Sequence, residues 1–491
     1  MPLAQLAEKT ALKTDFSLLI DGESIATPEN GRDFLDVINP ATGAVFARCP
    51  AAGKAELDRA VAAARRAFPA WSEHSFEDRT KAIRRMAEVL KANADTLAEL
   101  LTREQGKPVQ QSKDEINRAA TLTEGMLNIR FETQTIVDDA QARIELRYVP
   151  LGVAGIITPW NAPINLAIGP LVSALYTGNT VVLKPSPYTP LSTLKIGELI
   201  RDVFPRGVVN FIAGGDSLGQ WMTEHPGIDK ISFTGSVATG KKVMASSAST
   251  LKRVTLELGG NDAAIVLDDV DPKVVAPKLF FAGFVNSGQV CMAIKRIYAQ
   301  EKIYDALCEA LAEEARKWKV GDGLDPATKL GPIQNRMQYD KVVDVIADTK
   351  KAGGKFLAGA EQPPVSDKVV GYFVNPSIVT GLDESSRLVR EEQFGPIVPV
   401  LKFTDVNDAI RRANDTRYGL SGSVWSKDPE RAAAIAAKLE VGTAWVNQHR
   451  ATAANVPFGG AKESGIGRTY SDIGLKAYME PRVISILKQP M

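Results

Sequence analysis

Between residues 150 and 258 the chain alternates short apolar runs, VAGIITPW, NTVVLKPS, GVVNFIAGG and DKISFTGS, with helical stretches such as PLSTLKIGELIRDVF. Each run closes on glycine or proline, as strands do. Strands separated by crossover helices pair in parallel, so this segment is expected to form a doubly wound α/β domain of the nucleotide-binding type.

A second α/β pattern follows from about residue 259 to 447, with YDALCEALAEEARKW helical and GYFVNPSIV and SGSVWS strand-like. Upstream, from residue 54 to about 102, KAELDRAVAAARRAF and RTKAIRRMAEVLKANADTLAELLTRE repeat apolar residues at spacings of three and four, the mark of amphipathic helices. ARIELRYVPLG alternates like a strand. So does the end of KAYMEPRVISILKQ, which is expected to pair with ARIELRYV or with another subunit.

At 491 residues the chain exceeds one ordinary core and suggests about three structural units. Its 59 Lys and Arg balance 58 Asp and Glu, a net charge of +1. No strong field draws it to nucleic acid, anionic membrane or acidic partners, and a small molecule is the expected partner. The opening MPLAQLAEKTALKTDF carries Glu8, Lys9 and Lys13 where a signal peptide needs an apolar core, and no segment approaches 18 continuous apolar residues, so the chain is expected to be cytoplasmic.

The three cysteines, Cys49, Cys291 and Cys308, lie far apart with no CxxC pair, which argues against zinc or a disulfide framework. No metal is expected. In FVNSGQVCMA, Cys291 is therefore either a buried small hydrophobe or a nucleophile. Other stretches bear on that choice. DKISF runs into TGSVATGKKVM, where Gly235 and Gly240 flank the start of a helix, Ser236 can cap it, and free amides would meet a phosphate. NTVVLKPS puts Lys184 at a strand end, VTLELGGND puts Glu257 before two glycines that permit close approach, and GIITPWNAPIN puts Asn161 after a Pro-Trp turn. Each has an ordinary reading: a solvated lysine, a surface acid, a structural turn. Together they form a constellation.

The ordered series INPATG, PWNAP, VVLKPS, FTGSVATG, LELGGND, NSGQVC, EEQFGP, WVNQ and PFGGAKESGIGR resembles the aldehyde dehydrogenase superfamily over nearly the whole length. The resemblance implies an aldehyde dehydrogenase-like fold: a cofactor domain (residues 1–130 and 151–258), a catalytic domain (259–447), and an oligomerisation strand hairpin with the tail (131–150 and 475–491), giving a homodimer or homotetramer. It implies Cys291 as nucleophile, Glu257 as general base and Asn161 as oxyanion donor, and leaves Cys49 and Cys308 as buried thiols. Lys184 would lie near the adenosine ribose of NAD or NADP, Gly235 and Ser236 at the pyrophosphate, and Glu392 and Phe394 at the nicotinamide ribose and ring. Ile157, Thr158, Pro159, Trp160, Ser186, Gly215, Phe233 and Leu258 would complete the cofactor cleft.

The implied chemistry is oxidation of an aldehyde to an acid through a cysteine thioester that a Glu257-activated water hydrolyses. Relatives that pass the acyl group to coenzyme A tend to lack that carboxylate; a noncatalytic member would not need all three groups. Pro187 stands where NAD-preferring relatives often place a glutamate, so NADP is expected to serve at least comparably with NAD. The implied substrate pocket is Ala162, Leu166, Gly169, Met292, Arg450, Thr452 and Phe458. The small Ala162 and Gly169 suggest room for a medium-chain, branched or aromatic aldehyde, unless neighbours fill the space. Arg450 at the mouth is either a solvated loop residue or the partner of a substrate carboxylate, as in semialdehyde oxidation.

Overall fold

The structure is a computed structural model that describes residues 16–28, 33–359 and 371–488. Most of the N-terminal stretch read as lacking a signal peptide lies outside the described residues. No described helix is long and apolar enough to cross a membrane.

The first sheet has eight strands, in the order Glu23–Ile25, Leu18–Ile20, Val209–Phe211, Thr180–Lys184, Val153–Ile157, Lys230–Thr234, Arg253–Glu257 and Gly465–Ile466. Its five middle strands are parallel and its outer strands antiparallel. Val153–Ile157 and Thr180–Lys184 are buried along their whole length, because helices cover both faces. Strand order reverses beside Val153–Ile157: the chain builds outward first to Thr180–Lys184 and Val209–Phe211, then to the other side at Lys230–Thr234. In such sheets the crevice beyond the carboxyl ends at the reversal receives ligands.

From Glu257 the chain passes through four residues into Asp262–Val266, a central strand of the second sheet. That sheet runs Lys355–Ala358, Ser377–Thr380, Ile397–Phe403, Ile294–Gln300, Asp262–Val266, Ser421–Trp425, Thr443–Val446, parallel except at Lys355–Ala358. The carboxyl end of one sheet thus faces the amino end of the other across a short link, and the cleft between them holds the candidate site.

Several elements differ from the sequence reading. The amphipathic stretch is three helices, Lys54–Glu73, Phe76–Ala92 and Ala94–Gln105, and a fourth, Val109–Met126, was not singled out. Asn93 ends one helix and begins the next, and Gly106, at φ 97°, stops the third in the left-handed conformation that glycine tolerates. GYFVNPSIV is strand only at Ser377–Thr380, since Pro376 lacks the amide an extended ladder needs. GVVNFIAGG is strand only at Val209–Phe211, and the helix in PLSTLKIGELIRDVF only Leu191–Leu199.

The tail strand Met479–Leu487 pairs antiparallel with Ala142–Pro150 over nine residues, Met479 opposite Pro150 and Leu487 opposite Ala142, within one chain; Gln134–Asp138 adds a third strand. Of the two partners considered from sequence, the structure has the intrachain one. The tail is an edge strand with Val483, Ile486 and Leu487 exposed. Residues 489–491 lie outside the described residues.

Candidate active site

Cys291 stands in a turn between the 3-10 segment Val285–Gly288 and the strand Ile294–Gln300. Asn286, Ser287 and Gly288 have φ of 54°, 57° and 71°, three successive left-handed residues. Two are not glycine, and such strain persists only where the surroundings enforce it. Here Asn286 Nδ2 donates to Asn161 O (2.8 Å), Ser287 Oγ to Gly331 O (2.7 Å), and Gln289 Nε2 to Asn286 O (2.9 Å).

The next five carbonyls are all held. Gln289 O accepts from Asn161 Nδ2 (2.9 Å) and Asn286 Nδ2 (3.3 Å); Val290 O, Cys291 O and Ala293 O accept from Lys295 Nζ (2.9, 2.6 and 3.4 Å); Met292 O accepts from His449 Nε2 (3.1 Å). Burial drives the His449 ring down to about 3, so it is neutral, with Nε2 protonated toward Met292 and Nδ1 accepting from Ser423 Oγ (2.9 Å). The turn is preorganised.

Cys291 itself is half-buried, while Cys49 and Cys308 are buried. Burial pushes its thiol up to about 12; the Lys295 ammonium opposes this, and Glu392, Glu257 and Asp262 add to it. The resting thiol is therefore protonated and needs a base. Glu257 closes the strand Arg253–Glu257, buried, with Oε1 lacking any hydrogen-bond partner, and burial raises it to about 8. The glycines after it admit close neighbours. A Cβ on Gly259 would lie 2.2 Å from Glu392 Oε2 and one on Gly260 2.9 Å from Cys291 O. Asn161 spends one amide hydrogen on Gln289 O, leaving the other for a substrate oxygen; among the described residues the Cys291 amide has no acceptor.

The expected cofactor residues gather at the carboxyl ends of the first sheet: Ile157 to Trp160, Lys184 and Ser186, Gly215, Phe233 to Ser236, and Glu257 to Leu258. Ser236 caps the helix Val237–Ser247, accepting from Thr239 N at 3.2 Å, and the first-turn amides ahead of Thr239 have no intrahelical partner. Thr158 Oγ1 is buried without a partner. Lys184 Nζ, brought down to about 8 by burial, reaches Pro185 O at 3.3 Å and no other acceptor among the described residues, and it feels Asp216. Glu392 Oε1 accepts from Gly260 N (3.0 Å), and Phe394 meets Trp160 edge to face at 5.3 Å. An orphaned hydroxyl, open helix amides, a buried cation and two rings suit a dinucleotide with its phosphates at the helix end. Ser186 is buried, and its Oγ accepts from Tyr188 N.

Of the pocket residues, Ala162, Leu166, Met292 and Thr452 are half-buried and Phe458 is buried, paired with Thr469. Beside Gly169 the Tyr470 ring lies 3.6–4.0 Å from where a Cβ would be, at ordinary contact distance. Arg450 is not a solvated loop arginine. It is half-buried at φ 67°, its Nε has no partner, its guanidinium lies 5.6 Å from the Phe281 ring, and burial and Arg118 bring it down to about 10. Arg118 donates to Thr452 Oγ1, and neither arginine pairs with a carboxylate among the described residues. Arg118, Tyr470, His449 and Lys295 were not singled out from sequence. Only Lys295 leaves a signal there, standing with Arg296 as two adjacent charges in the buried strand Ile294–Gln300.

The model of the aldehyde dehydrogenase family matches residues 26–484. The chain is 36% identical to the aldehyde dehydrogenase LUC3 of Fusarium sp over 476 residues, 97% of this chain and 99% of the relative. It is 34% identical to the 2-aminomuconic semialdehyde dehydrogenase of Mus musculus, over 92% of this chain and 95% of that protein. It superposes on betaine aldehyde dehydrogenase from Staphylococcus aureus, solved in complex with NAD+, with a TM-score of 0.93 at 35% identity, covering 97% and 96% of the two chains.

Proposed function

The chain belongs to the aldehyde dehydrogenase family, and from that premise we propose that it oxidises an aldehyde to a carboxylic acid with NAD or NADP, by hydrolysis of a thioester on Cys291. What carries this reading is the meeting of Cys291, the unpartnered Glu257 carboxylate and the Asn161 amide in one cleft. Ionised Glu257 takes the thiol proton, directly or through water. Cys291 Sγ then bonds to the aldehyde carbon, and the oxygen takes up negative charge between the free Asn161 N–H and the Cys291 amide. One such donor is worth roughly 3 to 4 kcal/mol. When bound, the dinucleotide supplies the hydride acceptor. Glu257 gives the thiol proton up to solvent and then takes one from water, whose oxygen attacks the thioester carbon; the C–S bond breaks, the Cys291 sulfur departs as thiolate, and the acid leaves. Presence of Glu257 favours water over coenzyme A as acceptor.

Within that chemistry the substrate reading shifts toward an aldehyde that carries a carboxylate. Two unpaired guanidiniums, Arg118 and Arg450, border the cleft, and planar forks of this kind bind carboxylates in pairs of hydrogen bonds. The Tyr470 ring borders the space beside Gly169, which speaks for a narrower pocket there. The mouse relative's name, a semialdehyde dehydrogenase, agrees.

Cys291→Ala should form no reduced cofactor while still binding it; appreciable turnover would sink the assignment. A panel of succinic semialdehyde, a medium-chain aldehyde, an aromatic aldehyde and acetaldehyde should give the semialdehyde the highest kcat/KM. Arg118→Met and Arg450→Met should each reduce that value about tenfold or more and spare the aromatic aldehyde. An aromatic or medium-chain aldehyde ranking first in the wild type would restore the apolar-pocket reading.

A further inference from the structure

Lys295 is a charged residue in a buried strand, with 2% of its side chain exposed, and its ammonium turns back onto the loop that precedes the strand. Its three hydrogens meet three converging carbonyls, those of Val290, Cys291 and Ala293 at 2.9, 2.6 and 3.4 Å. A compact three-donor cation suits this geometry where a planar guanidinium would not. Its nearest carboxylate oxygen is Glu392 Oε1 at 3.8 Å, already engaged by the Gly260 amide.

We propose that Lys295 is the positioning residue of the nucleophile: its ammonium fixes the turn that presents Cys291 and sets beside the sulfur the positive charge that favours the thiolate. The groups facing Cys291 are otherwise largely acidic. Glu257 approaches from the first sheet, Asp262 from the second, and Glu392 from the loop behind Gly259. Tyr470 and Arg450 come from the C-terminal loops, and neutral His449 holds the adjoining carbonyl. Arg450 is another cation near the sulfur, but among the described residues it makes no hydrogen bond to the turn. Burial of the thiol makes a cation at this place consequential, because charges interact strongly where water is excluded. The proposal rests on the reading of Cys291 as nucleophile for its bearing on turnover, but the effect of the lysine on the thiol can be read without turnover.

The test is the pH dependence of Cys291 alkylation by iodoacetamide, followed by the mass of the Cys291 peptide in the full-length protein without cofactor. Lys295→Met should move the midpoint up by about one pH unit or more and slow alkylation about tenfold at a fixed pH below it, since alkylation follows the thiolate fraction. Lys295→Gln keeps donors for the carbonyls but not the charge, and serves if the methionine variant fails to fold. Its midpoint should rise as well, with kcat reduced and KM for the aldehyde little changed. A purely structural role would alter the limiting rate and leave the midpoint in place. A wild-type midpoint in Lys295→Gln overturns the proposal, whether or not Cys291→Ala proves active.

Discussion

The Glu257 carboxylate is packed against Gly459, where a Cβ would stand 2.9 Å from its Oε1. The glycine of PFGGAKESGIGR lets the loop close over the acid, removing water from it and leaving that oxygen without a partner. Such an environment holds a carboxyl neutral until high pH.

Activity should therefore rise with pH through about 8, because deprotonated Glu257 is the form that accepts protons. Glu257→Gln should give a burst of reduced cofactor followed by slow turnover, having lost the base for hydrolysis. The same acid destabilises the fold as pH rises. Its folded value lies above the ordinary 4.5, so the unfolded chain releases its proton first, and stability falls between pH 4.5 and 8. The glutamine variant should be more thermostable than wild type at pH 9 and show less advantage at pH 5. A flat pH–rate profile between pH 6.5 and 9 would remove Glu257 as the base.

Cofactor choice should turn on Asp216 beside Lys184. Pro187 offers no carboxylate to repel a 2′-phosphate, and NADP should be used comparably with NAD; Asp216, whose charge reaches Lys184, is the remaining opposing group. Asp216→Asn should raise kcat/KM for NADP about fivefold to tenfold and change that for NAD little. A large wild-type preference for NAD, untouched by this change, would contradict the reading.

Lys230 is fully buried below the Tyr478 ring, at 4.6 Å, with Nζ donating to Thr255 Oγ1 at 2.8 Å. Burial brings it down to about 7 from the ordinary 10.5. As pH falls from 10.5 to 7 the unfolded lysine protonates before the folded one, so this residue makes the protein less stable as pH falls over that window. Lys230→Met should raise Tm at pH 7 by several degrees, even after about 1 kcal/mol for the unpaired Thr255 hydroxyl, with the gain shrinking toward pH 10. A lowered Tm at pH 7 would show that the Thr255 and Tyr478 contacts outweigh desolvation.

Deleting residues 480 to 491 removes eight of the nine tail residues paired with Ala142–Pro150, together with the Arg253–Glu480 ion pair. The exposed Val483, Ile486 and Leu487 on this edge strand support assembly through it. The truncated chain should show a lower light-scattering mass; an unchanged mass would place the joint elsewhere.

The sequence by itself determined most of the central elements and pointed to the candidate reactive groups. Gly- and Pro-closed apolar runs located four of the first sheet's parallel strands, because strand burial and chain reversal are local in sequence, and the ordered motifs singled out Cys291, Glu257 and Asn161. Element ends were less legible: Ser377–Thr380 and Leu191–Leu199 are shorter than their apolar patterns, since packing and backbone pairing decide where a ladder or helix stops. Only the tertiary structure decided the environment of the site. Arg118 and Tyr470 enter from a helix and a loop more than 300 residues apart, and the ring that borders Gly169 lies far along the chain from it. Charge state, free volume and the partners of Lys295 depend on what folding brings within a few ångströms, and no local pattern carries that information.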